Sequence, residues 1–393
     1  MKYGVWFVRL LFAAWMIPAG LNHFVPIFPQ PMGSTPLSTE LVTALIDSHL
    51  FDLVKAVELT AGICILFGFY VPLVLVIAMP VSFCVFYYDA PLEGWGSRAA
   101  LFGYAVFGSN LLLCLAYNKC YHQMLTLKAN ASKKQLALVG RILFGAGMVI
   151  NGANYLVLSL WAVPTGNEPL AAQLMASLLN SGLLNVVMVL QIVAGVLILA
   201  GVLVPAALCV LMPLSTCALF WSFLDLTPLN IILALAAFAL NGLLMLAYLP
   251  YYKNILQRRA LAIGESGEEN SNFDSLFNSP AGSIPRSVFI PVIITVLLVT
   301  FFYAFIVTGR TAQFCMLVLL YPAFMVLVRR FHAMRYITWL LFIPLLLMLV
   351  IYIVQLGYFS LGDGVDSVMS WLAPAVAVVT ILWCSIRDGR NPA

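Results

Sequence analysis

Three ionisable side chains, Asp52, Lys55 and Glu58, open an apolar helical run within HLFDLVKAVELTAGICILFGFYVPLVLVIAMPVSFCVFYYD, His49 to Asp89. Lys55 precedes Glu58 by three residues, a spacing that puts both on one helix face. His23 closes an earlier apolar run at the same end, and Arg98 opens a later one. Ionisable groups inside membrane segments are costly and face a bundle interior or a wet cavity. His23, Lys55, Glu58 and Arg98 together would make a proton-handling site, since an imidazole titrates near neutral pH. A plainer reading stays open beside it: the hydrocarbon begins near Ala56, Lys55 snorkels outward, and the charges cap the interface. Arg9 and Arg141 lie at the other end of two matched runs, where snorkelling or contact with a lipid phosphate would hold them.

The elements positioning these residues must be membrane helices. Of 393 residues, 63% are hydrophobic and 9% charged, against roughly a quarter charged in a soluble domain. Runs long enough to cross a ~30 Å hydrocarbon core occur twelve times. They fall at about 4–24, 51–70, 71–88, 98–117, 136–157, 182–201, 203–223, 228–248, 287–308, 311–328, 336–357 and 367–386. The first lacks a small-residue cleavage site and reads as an uncleaved span. With the N-terminus in the cytoplasm, 16 of the 19 Lys and Arg residues fall on that side, all but Lys55, Arg98 and Arg310. Twelve crossings then return the C-terminus to the cytoplasm.

The chain also repeats itself. RLLFAAWMIPAGLNHF from Arg9 returns as RILFGAGMVINGANYL from Arg141. PLSTELVTALIDSHLFDLVKAVELTAG from Pro36 aligns without gaps on PLAAQLMASLLNSGLLNVVMVLQIVAG from Pro169. MPVSFC from Met79 returns as MPLSTC from Met212. Each copy holds four helices, so both face the same way, related by an axis along the membrane normal. Every acid of the gap-free stretch becomes an amide: Glu40 pairs with Gln173, Asp47 with Asn180, Asp52 with Asn185 and Glu58 with Gln191. Lys55 becomes Met188 and His23 becomes Tyr155. An amide keeps the carboxylate's shape and loses its charge. Either the second copy has drifted where no charge was needed, or the first alone retains an ionisable site. Glu58 is expected to approach His23, Lys55 or Arg98, and Gln191 to stand near Tyr155. Pro80 and Pro213 recur too, with Ser82 and Ser215 placed to satisfy the carbonyl each proline frees.

These features predict an all-α polytopic membrane protein with about twelve transmembrane helices in three four-helix units. Residues 1–128 and 129–255 are the two copies, 256–286 a flexible cytoplasmic linker rich in Gly, Ser, Asn and Glu, and 287–393 a last unit. A basic loop, Arg329 to Ala333, precedes the third helix of that unit.

AGLNHF (Ala19–Phe24), VELTAG (Val57–Gly62) and FGFYVPL (Phe67–Leu73) resemble the DoxX-like family of four-helix membrane proteins, and the second copy resembles it more faintly through NGANYL, LQIVAG and AGVLVPA. The last unit is similar to a bacterial four-helix family of unknown function with an R-R-L-H-D loop; here the loop runs Arg329, Arg330, Phe331, His332, Ala333, without the acid. The first resemblance implies a bacterial inner-membrane protein working in a quinone-linked redox system, with a redox partner subunit and a quinol head group at the His23–Glu58 site. A carrier of lipids or solutes, with a polar cavity between the copies, and a non-catalytic assembly protein are the alternatives.

Other chemistries are disfavoured. One in-span histidine cannot supply a bis-histidine haem, no phosphate-binding G-x-x-x-x-G-K-[ST] occurs, and no Cys/His spacing suits zinc. Eight cysteines without a C-x-x-C pair read as inert apolar side chains. A net charge of +4 on such a chain offers nothing to nucleic acid.

Overall fold

A computed structural model describes residues 1–132, 134–265, 272–307, 310–334, 346, 349–350 and 376–387. Among these the chain is all-helical. In order come α1 (Lys2–Phe24), α2 (Pro36–Asp47), α3 (Leu50–Phe67), α4 (Val71–Tyr87), α5 (Arg98–Ala116) and α6 (Asn118–Tyr121). Then follow α7 (Lys134–Ala153), α8 (Pro169–Asn180), α9 (Leu183–Ala200), α10 (Val204–Asp225) and α11 (Pro228–Ala247). The last are α12 (Phe273–Asn278), α13 (Arg286–Ile306) and α14 (Arg310–Ala333), with a further apolar helix at Val376–Ile386. Nine described helices are long and apolar enough to cross a bilayer, which makes this a multi-pass membrane protein. The 51–70 run forms α3 but falls outside those nine, because Asp52, Lys55 and Glu58 lie within its 18 residues. The run at 336–357 and the first part of the one at 367–386 lie largely outside the described residues.

Local sequence explains the helix boundaries. Thr35 caps α2 in a reciprocal pair with Ser38, and Pro36 occupies the first turn, where its missing N–H costs nothing. α3 and α9 end on Gly68 and Gly201, at φ 76° and 73°. That left-handed turn suits glycine, and Pro72 and Pro205 then start α4 and α10. The helices pack where side chains are absent. A Cβ on Gly20 of α1 would lie 2.5 Å from the backbone of Leu59, and one on Gly152 of α7 would lie 2.6 Å from Ile192. Such close approach is how helices gain dispersion contact in a bilayer, where no hydrophobic force drives them together. Leu136, Leu143, Val193, Ile232 and Leu243 remain exposed, the outward face a lipid solvent requires.

The segment between α11 and α13 corrects the expectation of a flexible linker. In α12, Phe273, Leu276 and Phe277 are fully buried, and both rings make edge contacts with Trp6. The polar composition of 256–286 hides a short FDSLF motif whose apolar residues recur at helical spacing and plug the end of the first bundle. Arg329 and Arg330, expected in a basic loop, are buried in the last turns of α14. Arg329 donates to the Ser275 carbonyl in α12, and Arg330 to those of Ile284 and Cys384. The proline expectation also needs correction. Ser82 donates to Ala78 O at 2.9 Å, not to the Val76 carbonyl that Pro80 frees, and the Ser215 hydroxyl is buried without a partner among the described residues.

Candidate functional site

Two helical turns into α3, Lys55 and Glu58 meet as their spacing predicts. Nζ lies 2.7 Å from Oε2, with the residues 7% and 1% exposed. The ammonium also sits 4.7 Å from the Phe51 ring. A pair so enclosed holds its geometry, because each charge removed from water needs the other.

A third ionisable group stands beside it, one that the sequence alone did not single out. α4 ends in a single π-helical turn, Tyr88–Leu92, that carries Asp89. π turns of this kind favour functional positions. Asp89 is 7% exposed, and its Oδ2 has no hydrogen-bond partner among the described residues. Gly103 of α5 makes the room, since a Cβ there would lie 2.8 Å from that of Asp89. The charges that reach Asp89 are those of Lys55 and Glu93. The only hint in the sequence is an acid closing the aromatic run FCVFYYD just before Pro91.

His23 does not join Glu58. Its Nε2 lies 2.6 Å from Asp52 Oδ1, and His49 Nδ1 lies 3.1 Å from Oδ2 of the same carboxylate. The last turn of α1 reaches the start of α3, about 9 Å along the helix axis from Glu58 at 1.5 Å per residue. Arg98 is exposed at the first residue of α5 and makes no hydrogen bond or ion pair among the described residues. The expected single cluster is therefore two layers, an outer His23–Asp52–His49 group and an inner Lys55–Glu58–Asp89 group, with Arg98 in neither.

The matched positions around α9 are neutral. Tyr155 donates to Asn185 Oδ1 at 2.8 Å, and Asn151 donates to Gln191 Oε1 at 2.9 Å. Gln191 thus takes its bond from Asn151 on α7, one turn before Tyr155, which lies in the π turn Asn154–Leu158 that follows. Where Asp89 stands in the first bundle, Ser222 donates to Ala218 O.

At the same end of the molecule Glu93 clamps the loop before α2, accepting from Ser34 N at 2.8 Å and from the Ser34 hydroxyl. Burial raises the Glu93 pKa, but hydrogen bonds from Ser34, Ser38 and Thr35 outweigh it and hold the carboxyl below the usual glutamate value of 4.5. The clamp's stabilising effect is therefore complete above pH 4.5 and disappears as pH falls through the lower folded value. The protection factor of the Ser34 amide, its exchange measured against the unstructured rate at each pH, should fall over that acid range in the wild type. In Glu93→Gln it should be low at every pH, and a wild-type protection factor that ignores pH would sink the assignment.

Arg9 does not reach lipid. It is 1% exposed, and its guanidinium donates to Ile65 O at 2.7 Å, Tyr117 Oη at 3.2 Å and Asp274 Oδ1 at 2.7 Å. The Phe273 ring centroid lies 3.9 Å from its central carbon. The α12 plug thus occupies the place that a lipid phosphate was expected to fill. Among the described residues Arg141 instead bonds only the carbonyls of Ile198 and Leu199.

No set of three His, Cys, Asp or Glu side chains among the described residues is placed to hold a metal. A cavity of about 220 Å³ lies between α4 and α10–α11, lined by Leu73, Val76, Met245, Leu249 and Tyr252 among others, and it is apolar. Between the first bundle and α13 a pocket of about 10 Å³, lined by Trp15, Phe102, Ser109 and Phe302 among others, borders Trp15 Nε1, which has no partner among the described residues, and has room for about one water. No protein-family model, curated protein or solved structure matches this chain.

Proposed function

We propose that this is a DoxX-like membrane protein whose first four-helix bundle binds and releases a proton at Lys55, Glu58 and Asp89, as the membrane component of a quinone-linked redox system. The observation that carries this reading is the buried, unpartnered Asp89 oxygen beside a closed salt bridge. One ammonium balances one carboxylate. A second carboxyl, Asp89, is 7% exposed and also faces the ionised Glu93, so the site carries uncompensated negative charge, which a proton on Asp89 relieves. Quinol oxidation releases protons at the membrane, and a buried carboxyl that accepts one is the group such a step requires.

The finer architecture belongs to the same proposal: a parallel duplication within a twelve-helix protein of the inner membrane, both termini cytoplasmic. Its support is a series of matched contacts. Tyr121 donates to Pro72 O and Tyr252 to Pro205 O. Glu93 accepts from Ser34 N, and Asp225 from Asn167 N. The segments that follow the copies are exchanged, with Tyr70 N bonded to Arg258 O and Leu203 N to Leu127 O. Across α2 and α8, Asn180 donates to Glu40 and Gln173 to Asp47, a reciprocal pattern typical of a two-fold interface. At this interface the acid-to-amide changes avert like-charge repulsion. Even the π turns fit. The offset between matched residues rises from 132 at His23/Tyr155 to 133 at Ser34/Asn167, where the second copy has its π turn (Asn154–Leu158). It falls back to 132 at Glu93/Asp225, after the first copy's π turn.

Infrared spectroscopy of the full chain in lipid tests the function. The wild type should show a protonated-carboxyl band that Asp89→Asn removes and that a short-chain quinol perturbs. Absence of an Asp89-dependent band would sink the proton site, and a band indifferent to quinol would sink the quinone reading.

A further inference from the structure

Arg141 stands in a cradle like that of Arg9, but without the acid. Its Nε and Nη2 lie 3.0 and 2.9 Å from Ile198 O, as Arg9 Nε lies 2.7 Å from Ile65 O. Tyr248 stands where Tyr117 stands in the first bundle and is 1% exposed. Neither its hydroxyl nor Arg141 Nη1 makes a hydrogen bond among the described residues. In the first bundle Arg9 Nη1 donates directly to Tyr117 Oη and Nη2 donates to the Asp274 carboxylate, with the apolar Phe273 ring against the guanidinium. Among the described residues the second site lacks that arginine–tyrosine bond and the oxyanion carried on an apolar body.

The surroundings of Arg141 decide where such an anion comes from. Leu138, Ile142 and Leu143, beside it on α7, are 50, 51 and 63% exposed on a helix apolar enough to cross the bilayer. A group reaching Arg141 therefore arrives through lipid. Guanidinium is weakly hydrated and pairs with phosphate oxygens through two parallel donors. We infer that Arg141, with Tyr248, binds the phosphate of an anionic phospholipid in the leaflet on the side of the chain's N-terminus. The site is independent of the proton reading, which concerns the opposite end of the other bundle.

The test uses the full chain in vesicles of phosphatidylcholine with or without phosphatidylglycerol, followed by mild extraction and mass measurement of the intact protein with its retained lipid. The wild type should keep a phosphatidylglycerol that Arg141→Gln loses, with affinity down about tenfold, while Arg141→Lys keeps part of it. Tyr248→Phe should weaken retention about threefold, and Lys253→Gln, which removes an exposed charge elsewhere, should leave it unchanged. Equal retention by Arg141→Gln and the wild type in a folded, monodisperse sample would overturn the assignment. So would an equal fall in Lys253→Gln, the mark of a general surface charge effect. Displacement of the lipid by millimolar inorganic phosphate would show that a free anion is the true occupant, and that too would overturn the lipid source.

Discussion

Lys55→Met is expected to be among the most damaging single substitutions in the chain, and adding Glu58→Gln should reverse most of the damage. Methionine and glutamine are the residues the second copy places at these positions, Met188 and Gln191. Removing the ammonium alone leaves Glu58, 1% exposed, without its 2.7 Å partner, and takes away the cation that reaches Asp89. Breaking a buried pair from one side costs about 3–5 kcal/mol, whereas replacing both members by neutral groups of similar shape is nearly neutral. The double variant should therefore unfold within about 1 kcal/mol of the wild type, an interaction energy well above the error of a double-mutant cycle. Unfolding in mild detergent, followed by loss of helical signal, measures all three proteins. Additive effects of the two substitutions would mean that the pair is not the unit the geometry describes. Stability and function should also separate, because the rescued double variant has lost the ammonium that balances the site. Its infrared carboxyl signal, now from Asp89 alone, should no longer follow that of the wild type.

What the sequence made legible follows from what the bilayer forces on a chain. In lipid every backbone group must bond within its own helix, so the apolar runs announced the spans, and α1, α4, α5, α7, α9, α10 and α11 fall where those runs lie. The Lys55–Glu58 pair was legible because three-residue spacing on a helix fixes contact. Partners across helices were not. His23 met Asp52 and not Glu58 because helix ends, not polarity, set its depth. Asp89 was hidden because its place inside the bundle depends on a π turn and on the missing side chain of Gly103. Neither follows from apolar periodicity. The plug was hidden for the opposite reason. Its three buried apolar residues, Phe273, Leu276 and Phe277, sit in a segment whose average composition is that of a solvated linker, and an average cannot show a single helical turn.

That plug provides the second large effect. Asp274→Ala should release α12 from the first bundle, at a cost of about 2–4 kcal/mol, below the cost of breaking a fully buried pair because Asp274 is 17% exposed. Arg9, at 1% exposure, would keep only its bonds to Ile65 O and Tyr117 Oη. The guanidinium cannot shed its charge, so the segment must move to let water or a lipid phosphate reach it. The aromatic contacts of Phe273 and Phe277 with Trp6, and the bond from Trp6 Nε1 to Glu265 Oε1 at 3.0 Å, hang on the same docking. Trypsin then gives a direct readout. Arg258 and Arg259 precede the plug, with the Arg258 carbonyl bonded to Tyr70 N and both guanidinium groups over the Phe69 ring. Cleavage there should be slow in the wild type and about 30- to 700-fold faster in Asp274→Ala, the local-opening ratio that about 2–4 kcal/mol implies at 1.4 kcal/mol per tenfold. Asp274→Glu should recover part of the protection if it can still reach Arg9. Arg9→Gln in the Asp274→Ala background should add little further loss, since the charge that needed a partner is gone. A cleavage rate in Asp274→Ala equal to that of the wild type would mean that α12 is held by its aromatic residues alone, with the ion pair a bystander.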